Sequence, residues 1–184
     1  MRDVSILNIE EEKPDLLGEL EDMFDDLSID GPDSSQMYQM YGVFLKDIVR
    51  NPIVINGISL TFNRNISKHP ICSGKFEAFE HIITRDNKYN GKRQFDRERA
   101  NKIHWIRPII ENVSDARIKY FEKINDKGFN QQFYWFESKN FIVILRELNP
   151  KLLLITTYFV DKWKKEEYKT WFNEYRQKKT PLRK

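Results

Sequence analysis

QFYWFESKNFIVILRELNPKLLLITTYFV, residues 132–160, holds three runs rich in aromatic and β-branched residues, each of strand length. The runs cover residues 132–137, 141–147 and 152–160, and the turn-forming pairs Lys139-Asn140 and Asn149-Pro150 separate them. Connections this short join neighbouring antiparallel strands, so the stretch predicts a meander. In the last run a period of two puts Thr156 and Tyr158 on one face with Leu154 and Val160, and turns Ile155, Thr157 and Phe159 to the other.

Working outward, residues 162–179 read as a basic helix carrying Trp163, Tyr168, Trp171, Phe172 and Tyr175. Upstream, Asp96 is an expected N-cap for a helix running from Arg97 to about residue 112, bent or ended by Pro108. The run KFEAFEHII fits a helical turn or a buried strand equally, and it lies between two stretches expected to be loops, residues 63–75 and 84–94. Asn56-Gly57 between two β-branched runs predicts a tight hairpin. Met37, Met40, Tyr41, Phe44, Leu45 and Ile48 mark a helix ending near Asn51-Pro52, and Leu16, Leu17, Leu20, Met23, Phe24 and Leu27 mark an acidic amphipathic helix over residues 15–27. Helices followed by consecutive strands, without strand-helix alternation, indicate an α+β fold. The expectation is a small antiparallel sheet packed against helices, with N-terminal helices and a C-terminal basic helix.

The 184 residues, 40% hydrophobic and 32% charged, suffice for one core and argue against global disorder. A single cysteine, Cys72, excludes an internal disulfide and a thiolate zinc cluster. His69, His81 and His104 lack metal-ligand spacing, and there is no glycine-rich phosphate loop or GxSxG elbow, so no metal and no cofactor is expected. No apolar run approaches the roughly 18 residues of a membrane span, and the acidic start MRDVSILNIEEEKPD is unlike a signal peptide, so a cytoplasmic protein without membrane partners is expected.

Charge divides the chain. Residues 1–35 carry two basic and twelve acidic residues, a net of −10, whereas residues 36–184 carry 29 basic and 16 acidic, a net of +13. We therefore expect an acidic N-terminal segment, 1–35, and a single basic α+β domain, 36–184. A body so basic suits RNA or another polyanion, because clustered Lys and Arg release counterions on binding phosphates. The acidic segment is a solvated tail, a restraint folded over the basic surface, or a handle for an inhibitor or regulatory protein; its apolar stripe either packs on its own domain or docks through Leu16, Leu20, Phe24 and Leu27.

If the helix after Asp96 is continuous, Arg99 shares a face with Ile103, Ile106 and Ile110, while Arg97, Asn101 and His104 face solvent or an RNA backbone. A guanidinium on an apolar stripe needs acceptors or a bound anion; a structural ion pair and a scissile-phosphate site both meet that need. His81, in the apolar FEHII, is either a core residue or a catalytic one. Thr156 and Tyr158 place two hydroxyls side by side. A histidine, an arginine and hydroxyls together suit RNA cleavage by attack of the 2′-hydroxyl on its own phosphate, which needs a base, an acid and positive charge but no protein nucleophile.

The runs FEHIITRD, FDRERANKIHWIRPIIEN, FYWFESKNFIVILRE and LLLITTYFVD, in this order, resemble phage-type members of the barnase, EndoU, colicin and RelE-like (BECR-fold) ribonuclease superfamily over about residues 53–161. The resemblance implies a small antiparallel sheet packed on a helix and a metal-independent endoribonuclease, a toxin or phage-encoded effector. It implies an active-site set of His81, Arg99, Thr156 and Tyr158, with Trp105 and Trp135 as framework or base-stacking groups. With them, Arg85, Lys88, Lys92, Arg93, Arg97 and His104 make up the expected RNA-binding surface. A non-catalytic nucleic-acid-binding or protein-interaction module is the alternative.

Overall fold

In the structure, a computed structural model that describes residues 14–179, Asn56 and Gly57 both take positive φ, 49° and 79°. That geometry matches the twist of the flanking strands, so β1 (Val54–Ile55) folds back antiparallel on β2 (Ile58–Phe62). The meander follows the sequence closely: β6 (Asn130–Phe136), β7 (Phe141–Glu147) and β8 (Leu152–Phe159) pair antiparallel in order. A further strand that the sequence reading did not include, β5 (Ile118–Ile124), pairs with β6 along its whole length. The six-stranded sheet runs β1-β2-β8-β7-β6-β5. It is antiparallel except where β2 joins β8 in parallel at Leu60 to Phe62, so the expected all-antiparallel sheet is a mixed one.

Two apolar layers cover this sheet. Tyr134, Phe136, Phe141, Val143, Leu145, Leu152 and Leu154 belong to the larger core, with the helices α1 (Ser34–Phe44), α2 (Glu77–Ile83) and α4 (Ile106–Glu111). Fully buried Phe44 packs edge-on against Phe62 and Phe79 at 5.5 and 5.7 Å between ring centres. The opposite face presents Phe121, Phe133, Trp135, Ile142 and Ile144 to Tyr168, Trp171 and Phe172 of α5 (Lys162–Lys179). The expected α+β architecture, with its C-terminal basic helix, is therefore present. Among the described residues no helix is long and apolar enough to cross a membrane.

One helix expected from apolar spacing does not form. Residues 15–27 are turns and irregular chain: Glu19 N bonds one helical turn back to the Asp15 carbonyl, but from Glu21 to Phe24 main-chain groups find partners far away in sequence. Met23 N donates to the Asn101 carbonyl at 2.9 Å. Phe24 N donates to Asn101 Oδ1 and Phe24 O accepts from Asn101 Nδ2, both at 2.8 Å. Trp105 Nε1 donates to the Glu21 carbonyl at 2.9 Å. With these groups satisfied, no helical ladder is required. Leu17, Leu20 and Leu27 enter the same core as the basic body, whereas Leu16 is exposed. Of the two readings of this stripe, packing on its own domain holds at Leu20 and Leu27, with Phe24 partly buried against the same core.

The segment after Asp96 also differs. Asp96 caps it by accepting from Arg99 N, but the chain makes α3 (Arg97–Ala100), a 3₁₀ turn (Ile103–Trp105) and then α4 rather than one helix. A uniform 100° step cannot assign faces across such breaks. Asn101, expected at the surface, is 1% exposed. The basic stretch expected as a loop is a hairpin, β3 (Thr84–Asp86) with β4 (Arg93–Phe95).

Candidate functional site at the open edge of β8

β8 has two neighbours over only part of its length. β2 pairs with it from Leu152 to Leu154 and then diverges, which leaves later main-chain groups on that side without a strand. A sheet edge of this kind must be covered or it invites unwanted pairing. Here α2 and α3 pack against it. The Thr156 hydroxyl, on a residue 7% exposed, donates to the His81 carbonyl at 2.9 Å.

A register shift sets which side chains reach this edge. Leu154 pairs with Leu145 but Thr156 pairs with Ile144, so Ile155 is an extra residue in β8. Directly paired residues share a face, which puts Thr156 and Tyr158 with Ile144 and Ile142 on the α5 side. Leu154, expected beside them, lies on the other face with Thr157. The bulge thereby turns both hydroxyl residues away from the larger core.

Arg99 comes to the same place. Its guanidinium carbon stands 4.1 Å from the centre of the Tyr158 ring, and Nη1 donates to the Thr84 carbonyl at 2.9 Å. Nε lies 3.2 Å from Asp96 Oδ2 without an aligned hydrogen bond. Arg93 reaches in from β4: Nη2 donates to the same Thr84 carbonyl at 2.8 Å and Nε to the Thr84 hydroxyl at 2.8 Å. Two guanidiniums thus share one carbonyl oxygen, and their mutual repulsion is offset by Asp96, 3.2 Å from Arg99, and by Asp86 and Glu80, 2.9 and 3.5 Å from Arg93. Burial lowers the Arg99 pKa, with Asp96 opposing; an arginine remains charged throughout the working range even so.

His81 is half-buried on α2. Burial, and then the nearby Arg93 charge, hold its imidazole below the ordinary histidine range, against Glu80, Glu77 and Asp86. The imidazole is therefore neutral at neutral pH, the form that accepts a proton. The link to Thr156 runs through the His81 main chain and not its ring.

The structure brings the segment of His81 together with Arg99, Thr156 and Tyr158 at one edge, with Arg93 reaching the Thr84 and His81 carbonyls, and leaves the other expected residues elsewhere. Arg85, Lys88 and Lys92 are exposed on the β3-β4 hairpin; Arg85 Nε lies 3.8 Å from Asp96. Trp105 and Trp135, 3% and 0% exposed, are framework residues that no base could stack on without opening the core. His104 packs edge-on against Trp105 beneath the acidic segment, with burial lowering its pKa, and so lies away from the Arg99 edge. Arg97 is half-buried, its Nε enclosed without a hydrogen-bond partner.

Two exposed aromatics lie outside the expected set: Tyr89, 99% exposed at the hairpin tip, and Trp163, 61% exposed at the start of α5 with the Lys88 ammonium against its ring. The available signal was an aromatic among lysines in each case, NKYNGK and DKWKK. Among the described residues no three His, Cys, Asp or Glu side chains group closely enough to hold a metal ion. Comparison with protein families, curated proteins and solved structures returns no match for this chain.

Proposed function

We propose that the chain is an RNA endonuclease that works without a metal, with the β8 edge as its site. The supporting observation is the Arg99 guanidinium stacked on part-exposed Tyr158 beside the segment that carries a neutral His81. In this reading His81 takes the proton from the RNA 2′-hydroxyl as that oxygen attacks the adjacent phosphorus. Arg99 and Arg93 face the charge that builds on the phosphorane, and the 5′-oxygen leaves with a proton from water, as a 5′-hydroxyl, to give a 2′,3′-cyclic phosphate. Tyr158 holds the Arg99 plane. Thr156, whose hydroxyl is committed to the His81 carbonyl, is a positioning residue rather than a reacting one.

The test is incubation with total RNA in EDTA, with the new 3′ ends identified chemically. Cleavage to cyclic phosphate ends that is lost in His81→Ala supports the reading. A specific observation favours a second one: Arg99 is already paired with Asp96 at 3.2 Å, as a structural arginine would be. Salt-dependent binding without cleavage would assign the surface to an RNA-binding module instead.

A further inference from the structure

The first turn of α5 holds Lys162, Lys164 and Lys165 and no acidic residue. A helix N-terminus carries partial positive charge and favours acids, so three lysines there oppose the helix's own dipole. Asp161, Glu166 and Glu167 match these lysines in number; Lys164 pairs with Glu167 at 2.5 Å, and Lys165 donates to Asn140 Oδ1 at 3.1 Å. The same turn carries Trp163, which stays 61% exposed although the Lys164 and Lys88 ammonium groups sit 4.9 and 5.5 Å from its ring centre. The Lys88 contact also ties the tip of the β3-β4 hairpin to α5. Trp163 follows Tyr158 by five positions across the β8-α5 corner, and the hairpin whose Lys88 reaches Trp163 also carries Thr84, whose carbonyl accepts from Arg99. The aromatic shelf and the arginine edge are therefore neighbours. An exposed indole with two ammonium groups against its ring, one of them from a separate basic hairpin, matches a ligand with a flat face and anions beside it.

We propose that Trp163, with Lys88 and Lys164, is a stacking platform for an unpaired nucleobase, so that the strand entering the site is single-stranded nucleic acid. Tyr89, at the hairpin tip and 99% exposed, offers a second ring along the same path. A duplex presents phosphates but no free base face, so it would meet the lysines and not the indole. The inference rests on the nucleic-acid reading above but not on cleavage.

The test uses the full chain and a labelled oligothymidylate of about twelve nucleotides, beside a DNA duplex of equal length, with binding read by fluorescence anisotropy. Oligothymidylate lacks the 2′-hydroxyl, so it cannot be consumed by the proposed chemistry. Trp163→Ala is expected to weaken single-strand binding about tenfold, within the range of one lost base stack, and to change duplex binding less than about twofold. Trp163→Phe is expected to stay within about threefold of wild type, because a ring remains. Lys88→Ala is expected to weaken both. Equal loss of single-strand and duplex binding in Trp163→Ala, or no loss, overturns the platform. So does Trp163-dependent binding to phosphatidylserine vesicles without oligonucleotide binding. A protein that stacks single strands through Trp163 but leaves RNA intact keeps this inference and rejects the nuclease.

Discussion

The Thr156 hydroxyl donates to the main-chain carbonyl of His81 at 2.9 Å, across 75 positions of sequence. One short bond thus closes the outer edge of β8 and sets where α2 presents its histidine. The bond is part-buried, so Thr156→Val, which keeps the shape and removes the donor, is expected to cost about 1 kcal/mol of stability. Thr156→Ser should restore it. Urea unfolding measures both, and equal midpoints for all three proteins would show that the bond contributes nothing.

His81 and His104 both have pKa values lowered mainly by burial, which makes acid a specific stress. A histidine whose folded pKa lies below its unfolded value binds protons first in the unfolded state. Its contribution is fully present above the unfolded pKa of about 6.5 and is lost as pH falls through the folded one. Stability is therefore expected to drop below about pH 6.5, and His104→Gln, away from the Arg99 edge, should flatten that slope. If His81 is the base, kcat/KM should rise with pH through a value below 6.5 and then level. A rate that rises only above neutral pH would assign the base elsewhere.

Arg99 joins stability to the proposed chemistry, because Arg99 and Asp96 are 7% and 12% exposed in their side chains. Removing one partner of a buried pair strands the other, so Arg99→Ala is expected to cost about 3 kcal/mol as well as cleavage. Tyr158→Leu removes the ring beneath the guanidinium and leaves the Asp96 pair. It should stay close to wild-type stability while lowering the rate. Full stability in Arg99→Ala would mean the pair does not hold α3 in place.

Legibility in the sequence follows the range over which each feature is determined. The Asn56-Gly57 turn, the meander and α5 depend on neighbours within a few residues, and each forms where its pattern puts it. Residues 15–27 carry helical leucine spacing, yet Asn101 and Trp105, 77 to 84 positions away, take over their main-chain groups. β5 was hidden because IKYFEKI has Lys119, Glu122 and Lys123 among its rings; its register comes from β6, not from its own alternation. His81, Arg99, Thr156 and Tyr158 could be picked out by chemistry. The bulge at Ile155 that turns two of them toward α5 had no mark in LLLITTYFV. The exposure of Trp163, like the burial of Trp105 and Trp135, is a tertiary property that composition does not encode.

The acidic segment provides the last prediction, since its partners change what its removal does. Lys102, 6% exposed, bonds Asp22 at 2.9 Å and Glu98 at 3.0 Å, and Arg117 bonds Asp15 at 2.6 Å. The first of these sits beside the Asn101 clamp, so charge fastens the segment where the hydrogen bonds already hold it. Leu17, Leu20 and Leu27 add apolar burial worth about 1.5–3 kcal/mol each when complete, against a typical total stability of about 5–15 kcal/mol. Deleting residues 1–35 is therefore expected to abolish cooperative unfolding rather than to release a restrained site. A milder change separates the parts: Asn101→Ala leaves the Phe24 amide and carbonyl without their partner and should cost about 2 kcal/mol. Lys102→Met keeps the stem over Trp105, removes the charge, and should make the remaining stability less sensitive to salt. A truncated chain that still unfolds cooperatively near the wild-type midpoint, with RNA affinity raised at low salt, would return the segment to the part of a removable restraint.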